Sequence, residues 1–183
     1  RGDIGATAER YAREAFVRYQ ADAVTLSPYM GFDSLEPYLK HDGRGLFLLC
    51  RTSNPGGADL QSLPLAAGGT LYEQVASLAA GAWSRDANAK ARLGLVVGAT
   101  APAEIERVRQ LAPTLPLLIP GVGAQGGDAR AAVLAGWRPG APVVVNSSRA
   151  VLYASAGDDF ASAARHVARA TRDQLAGAMA ACV

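Results

Sequence analysis

PLLIPGVGAQGGDARAAVLAGWRPGAPVVVNSSRA, residues 116–150, contains two apolar runs separated by a glycine-rich loop and a short helical segment. Strands that are apolar along their whole length, rather than alternating, are typical of parallel sheets covered on both faces. Parallel neighbours need a crossover connection, and a helix commonly supplies it. The stretch therefore predicts a β-α-β unit whose two strands end at the same edge of a parallel sheet.

The alternation of apolar runs and helical segments continues along the rest of the chain. We expect five strands, which cover 21–27, 46–53, 93–100, a run that begins at 116, and 141–148. We expect five helices, which begin at about Thr7, cover 71–90, 101–113 and 128–137, and begin again at Asp158 or Asp159. This order indicates an α/β protein, either a doubly wound open sheet or a (β/α)8 barrel. Both folds bind ligands at the carboxyl ends of their strands.

The two terminal helices have amphipathic patterns. In the first, the expected buried stripe is Ala8, Tyr11, Ala15 and Tyr19. In the last, it is Phe160, Ala164, Val167, Thr171 and Leu175. Each stripe predicts which side of its helix faces the sheet.

Composition restricts the class of protein. The chain has 183 residues, 50% hydrophobic, which suits a single domain spanning 1–183. With 18 basic and 16 acidic residues scattered along it, the net charge of +2 gives no footprint for nucleic acid. The apolar runs are too short to span a membrane, and two cysteines make no disulfide framework. A soluble protein in a reducing, cytoplasmic setting is expected.

The loop after residue 120 is rich in glycine. Gly121, Gly123 and Gly126 have the G-x-G-x-x-G spacing of a dinucleotide-binding loop. Such a site needs an acidic residue about 20 positions on, but the next strand ends in Asn146. The dinucleotide interpretation therefore loses weight. An anion-binding loop at a helix start and a plain tight turn remain as alternatives.

Arg149 favours the anion-binding interpretation. It follows the last strand, directly after Ser147 and Ser148, and a guanidinium is a bidentate donor suited to phosphate. Two successive loops of this kind match the phosphate site that barrels build after strands seven and eight. The alternative for Arg149 is a surface salt bridge.

Four segments together resemble the orotidine 5'-phosphate decarboxylase family, specifically its second bacterial branch. They are RGDIGATAERYAREAF (1–16), LLCRTSNPGG (48–57), IPGVGAQGGD (119–128) and VVVNSSRAVLYAS (143–155). The resemblance implies a (β/α)8 TIM barrel, of which this chain supplies the last five β/α units, and a homodimer with shared active sites. It also implies conversion of orotidine 5'-phosphate to UMP and CO2 in pyrimidine biosynthesis, with no cofactor and no metal.

The family signature D-x-K-x-x-D-I-x-x-T is matched in its second half by Asp3, Ile4 and Thr7. The signature lysine would then immediately precede Arg1, and the first three strands would lie upstream. In the family the lysine protonates the reacting carbon within a chain of Lys and Asp groups, the last of which crosses from the other subunit. Asp3 would be that catalytic residue; the alternative is an ordinary acidic residue at a helix start.

The resemblance also implies a set of substrate-binding residues: Ile4, Thr7, Ser53, Pro120, Gln125, Ser148 and Arg149. Ser53 would contact the pyrimidine edge and Pro120 its ring, while Thr7 would reach the partner's ribose. Gln125, Ser148 and Arg149 would hold the phosphate. His41 and His166 are interpreted as surface residues.

Two other functions stay open. Another phosphate-binding barrel enzyme, acting on a sugar phosphate, would share the last two loops but not the signature around Asp3. A non-catalytic binding module is suggested by the tripeptide Arg1-Gly2-Asp3, which resembles an adhesion motif. Comparing turnover of orotidine 5'-phosphate with turnover of other phosphates distinguishes the decarboxylase from another barrel enzyme. Loss of cell adhesion after Asp3→Glu would support the binding module.

Overall fold

The structure is a computed structural model that describes residues 2–85, 92–123 and 127–182. Its centre is a parallel sheet of five strands in the order β1-β2-β3-β4-β5. The strands are β1 Ala23–Leu26, β2 Gly45–Arg51, β3 Arg92–Val97, β4 Leu117–Pro120 and β5 Val143–Asn146. All five lie within or next to the segments predicted from the sequence, and the α/β prediction is confirmed.

Helices connect the strands and cover one side of the sheet. They are α1 Gly5–Arg13, α2 Glu36–Leu39, α3 Leu71–Leu78, α4 Pro102–Leu111, α5 Ala129–Gly136, α6 Arg149–Leu152 and α7 Phe160–Ala180. Short 3-10 turns cover Phe32–Ser34 and Pro55–Asp59, and α1 and α3 end in π-helical turns at Glu14–Arg18 and Ala79–Trp83. Within the described ranges, no helix combines the length and apolar character needed to span a membrane.

Local signals explain where three of these helices begin. Thr70 and Glu73 form a capping box at the start of α3, and Pro102 occupies the first position of α4. The Asp128 carboxylate accepts the N–H groups of Arg130 and Ala131 at 2.8 and 3.3 Å, which caps α5. Each start therefore follows from residues adjacent to it in the sequence.

The two faces of the sheet have different environments. Leu46, Leu48 and Ile119 point toward the helices and are fully buried. On the opposite face, one row of paired residues crosses the sheet from β2 to β5 and ends in Leu49 and Val144, which are 39% and 49% exposed. Val96, in the middle of the row, is only 5% exposed, so this second face is apolar and only partly open to solvent.

The stripe predicted for α1 holds at Ala8, which is buried, and at Tyr11 and Ala15, which pack against the core, but it fails at Tyr19. Ala8, Ala12 and Phe16 are buried, whereas Tyr19 is 71% exposed. From Glu14 the helix continues as a π-helical turn, in which the Tyr19 N–H donates to the Glu14 carbonyl at 2.9 Å. The wider turn changes the angular position of each later side chain. The prediction of Tyr19 at the core was therefore wrong.

In α7 the expected stripe largely holds. Ala164, Val167, Thr171 and Leu175 are half-buried, and Leu175 packs against the core. Phe160, at the first position of the helix, is 62% exposed instead. The core contact of α7 therefore begins after its first turn.

Arg109 is a buried charged residue that joins helix ends to the sheet. Its Nε donates to the Gly136 carbonyl at 2.6 Å, and its Nη1 donates to the carbonyls of Ala112 and Leu115 at 3.0 and 2.7 Å. Burial, with a smaller contribution from Arg138, lowers the pKa of Arg109 to about 10, so the group stays charged at neutral pH. The guanidinium thus satisfies carbonyls at the ends of α4 and α5 and just before β4.

Candidate functional site

The predicted binding residues follow the carboxyl ends of the strands. Ser53 lies two residues beyond β2, Pro120 is the last residue of β4, and Ser148 and Arg149 follow β5. All five strands are parallel, so these positions share one edge of the sheet. The structure therefore collects them along one rim.

Backbone contacts join the ends of β2, β3 and β4 at this rim. A Cβ added to Gly98, just after β3, would lie 2.8 Å from both the Cβ and the backbone N of Ser53. The Gly98 N–H donates to the Arg51 carbonyl, and the Ala99 N–H donates to the Pro120 carbonyl, both at 2.8 Å. Gly98 has no side chain, which allows this close approach to Ser53.

The glycine-rich loop after β4 contacts the loop after β5. The Ser147 hydroxyl donates to the Val122 carbonyl at 3.3 Å, and a Cβ added to Gly123 would lie 3.3 Å from the Ala150 Cβ. Gly121 and Gly123 have φ values of +95° and +81°, a conformation that favours glycine. The two loops predicted to hold phosphate are therefore neighbours. The predicted phosphate residue Gln125 lies outside the described residues.

Ser148 and Arg149 are exposed at the start of the short helix α6. The Ser148 carbonyl accepts the N–H groups of Val151 and Leu152 at 3.1 and 2.8 Å. Among the described residues, the Arg149 guanidinium makes no ion pair or hydrogen bond, which disfavours the surface salt bridge considered above. Its side chain is accessible to an anion from solvent.

The residues of the partial signature lie beside the loop that follows β1. Asp3 is half-buried, and its Oδ1 accepts the Ile4 N–H at 2.8 Å. A Cβ added to Gly2 would lie 3.0 Å from the Met30 Cε. Ile4 is 58% exposed, and Thr7 is exposed in the first turn of α1. The segment that carries Asp3 therefore lies near the loop after β1, while the Arg149 loop follows β5 at the other side of the sheet.

Cys50 is close to Ser53 in sequence but does not face the rim. It is buried, and its Sγ donates to the Tyr72 carbonyl at 3.2 Å. Burial raises the pKa of this thiol to about 12, so it stays protonated at neutral pH. Cys50 is a packing residue and not a nucleophile.

Sequence reasoning missed a set of polar contacts in the loop that carries Ser53. Gln61 lies between the predicted strand at 46–53 and the predicted helix at 71–90, where the sequence predicts no regular element, and Arg51 lies within the predicted strand. In the structure both side chains bind the backbone of Thr52, the residue before Ser53. A charged residue at the end of an apolar strand was the available signal for Arg51, but no local pattern indicated Gln61.

These features define the class of protein. Five parallel β/α units, with one sheet face against helices, a partly open apolar face and polar loops at the carboxyl rim, form part of a (β/α)8 barrel. The family model for orotidine 5'-phosphate decarboxylase / HUMPS matches residues 1–172. The chain belongs to that family, and the resemblance stated from its motifs is confirmed.

Relatives and solved structures agree with this assignment. The chain is 70% identical to the orotidine 5'-phosphate decarboxylase of Variovorax paradoxus, and the match covers 97% of this chain and 65% of that relative. It is 69% identical to the enzyme of the same name from Polaromonas naphthalenivorans, and that match covers 98% of this chain and 64% of the relative. It is similar to the Leishmania donovani OMP decarboxylase structure, with a TM-score of 0.79, 42% identity and coverage of 96% of this chain and 66% of that one. The L. donovani UMP synthase structure gives a TM-score of 0.82 at 44% identity, and the match covers 96% of this chain and 38% of that one. The chain thus spans just under two thirds of the length of these curated relatives.

Proposed function

We propose that the protein containing this chain is an orotidine 5'-phosphate decarboxylase that releases CO2 from its substrate and forms UMP without a cofactor. The observation that carries the proposal is that the predicted binding loops lie together at one rim of the sheet. The chain that carries these loops is 70% identical to an orotidine 5'-phosphate decarboxylase. Pyrimidine biosynthesis in the cytoplasm is the setting that this activity implies. Two free cysteines, one of them buried, are compatible with a reducing compartment.

The chemistry requires a localised negative charge to be stabilised. When the bond between C6 and the carboxylate breaks, the electron pair stays on C6, CO2 leaves, and a proton must then reach C6. No π-system delocalises that charge, so preorganised electrostatic groups lower the barrier. The ammonium of the signature lysine, expected just before Arg1, would donate the proton. The partner subunit's Asp3 would be the last member of the chain of Lys and Asp groups that holds this ammonium in place.

The remaining rim residues have binding roles in this proposal. Arg149, Ser148 and Gln125 hold the phosphate, Pro120 packs on the pyrimidine ring and Ser53 bonds its edge. The exposed Arg149 guanidinium and the adjoining glycine loop support the phosphate assignment. Because the phosphate is remote from C6, its binding energy can contribute to the rate as well as to affinity.

We further propose a homodimer in which Asp3, Ile4 and Thr7 complete the partner's site. Exposed apolar side chains near the N-terminal segment support this: Ile4, Tyr29 and Met30 are 58%, 79% and 40% exposed. Burial of such side chains against a second subunit is favourable by about 25 cal/mol per Å² of apolar area. A partner subunit would therefore cover the region around Asp3.

The test compares two proteins. The first is the "completed chain", in which the N-terminal segment of the V. paradoxus relative is joined ahead of residue 1; the second is residues 1–183 alone. We expect the completed chain to decarboxylate orotidine 5'-phosphate, measured by the loss of its ultraviolet absorbance, and to leave sugar phosphates unchanged. The proposed function would be contradicted if the completed chain unfolds cooperatively, and is therefore folded, but does not decarboxylate orotidine 5'-phosphate.

Residues 1–183 alone are expected to show no turnover and only a broad thermal transition. The open sheet face exposes Leu49 and Val144, and β1 and β5 each have one unpaired edge in the described sheet. Circular dichroism during heating measures the transition. A sharp cooperative transition would refute the incomplete-barrel argument, and measurable turnover would show that no upstream lysine is needed.

A further inference from the structure

The loop between β2 and α3 is held by side chains that the proposed reaction does not use. Gln61 Oε1 accepts the Thr52 N–H at 2.9 Å and Arg51 Nη1 at 3.2 Å. Gln61 Nε2 donates to the Thr52 hydroxyl at 2.9 Å. Since two N–H donors meet at Oε1, that atom must be the amide oxygen. One amide group thus binds the backbone and side chain of Thr52.

Arg51 binds the other side of the same residue. Its Nη1 donates to the Thr52 carbonyl at 2.9 Å, and its Nε lies 3.5 Å from Glu104 Oε1 on α4. The side chains of Arg51 and Glu104 are 16% and 29% exposed, so the pair is partly screened from water. Thr52 therefore has both its N–H and its carbonyl bound immediately before Ser53.

Gln61 is itself fixed by backbone bonds. Its N–H donates to the Gly57 carbonyl at 2.9 Å, and its carbonyl accepts the Tyr72 N–H at 3.0 Å. A Cβ added to Gly57 would lie 2.8 Å from Gln61 Oε1, so the loop packs directly around this amide. On the other side, Gly98 packs against Ser53. The segment from Thr52 to Ser53 therefore has little freedom to rotate.

From these contacts we infer that Gln61 is a positioning residue that orients Ser53 toward the pyrimidine of the ligand. The inference rests on the proposed function, because that proposal makes Ser53 a contact of the pyrimidine edge. Gln61 touches no ligand in this scheme; it acts through Thr52. Loss of the Gln61 side chain should weaken the binding of ligands that contain a pyrimidine. It should leave the binding of ligands that have only the sugar phosphate unchanged.

The experiment measures binding of UMP and of ribose 5-phosphate to the completed chain by calorimetry. Gln61→Met has similar volume but no hydrogen bonds, and we expect it to weaken UMP binding about tenfold, the effect of one or two lost hydrogen bonds. Gln61→Glu keeps the oxygen that accepts from Thr52 and Arg51, and should restore UMP affinity toward that of the unsubstituted protein. Gln74→Met, at an exposed position of α3, is the matched control and should change neither affinity.

A double-mutant cycle with Ser53→Ala shows whether Gln61 acts through Ser53. If it does, the double variant should bind UMP no more weakly than the weaker of the two single variants. Additive losses, or an equal loss of ribose 5-phosphate affinity, would overturn the positioning role and leave the proposed function intact. If the completed chain decarboxylates orotidine 5'-phosphate but Ser53→Ala has no effect on UMP binding, the pyrimidine contact and the inference both fail. Failure of the proposed function itself would appear as no decarboxylation by the unsubstituted completed chain.

Discussion

Replacing Arg149 with alanine in the completed chain is expected to lower kcat/KM for orotidine 5'-phosphate about 160-fold or more, which corresponds to roughly 3 kcal/mol or more of lost transition-state stabilisation. The guanidinium is exposed after β5, beside the glycine loop, and it has no ion-pair partner in the described part of the chain. Removing it would take a charged, bidentate donor away from the phosphate. Steady-state kinetics with orotidine 5'-phosphate measures the change.

Two further substitutions sharpen this test. Arg149→Lys retains the charge but not the paired donors, so we expect it to recover only part of the loss. Arg165→Ala removes an exposed arginine from α7, far along the chain from the rim, and should leave the kinetics unchanged. Normal kinetics in the Arg149→Ala protein would remove this residue from the phosphate site.

Mixing two inactive variants is expected to restore activity if Asp3 serves the neighbouring subunit. One variant is Asp3→Ala in the completed chain, and the other replaces the signature lysine in its N-terminal segment. In a heterodimer, one site combines an intact lysine with an intact aspartate, and the other site has neither. Half of the dimers in an equal mixture are heterodimers, so about one quarter of the unsubstituted activity should return.

Subunit exchange must be verified, for example by native mass spectrometry of subunits with different masses. Asp42→Ala, at an exposed position after α2, is the matched acidic control and should be fully active without mixing. A mixture that exchanges subunits but stays inactive would place Asp3 in the site of its own chain or outside any site. Full activity of Asp3→Ala alone would show that it is an ordinary acidic residue at a helix start.

The strand and helix order could be predicted from the sequence because its signals are local. Apolar runs marked each strand, although the strand predicted at 141–148 is shorter, Val143–Asn146. The helices predicted at 101–113 and 128–137 begin close to the observed starts of α4 and α5. In the structure Pro102, with its fixed φ, and the capping Asp128 carboxylate act on the adjacent turn, so both starts depend on local residues. Parallel strands then place the loops after them at one rim, which is why the candidate residues were found together.

The family assignment also came from the sequence, through four spaced motifs, and the comparisons confirm it. The individual roles of the rim residues, including the dimer contact of Asp3 and the phosphate contact of Arg149, stay predictions. For Gln125, which lies outside the described residues, the sequence is the whole basis of the prediction. The motifs identify which loops matter, since residue order along the chain is enough to recognise a motif.

The tertiary structure alone decided how those loops are held. Phe16 rather than Tyr19 packs into the core because the end of α1 forms a π-helical turn, which the apolar spacing did not indicate. Gln61 meets Thr52, which lies nine positions earlier in the chain and before the 3-10 turn, and Gly98 meets Ser53 where the adjacent strands β3 and β2 end. Such contacts form because the folded backbone brings together residues that are distant in sequence. Hydrophobic periodicity and capping patterns depend only on neighbours along the chain, so they do not predict these contacts.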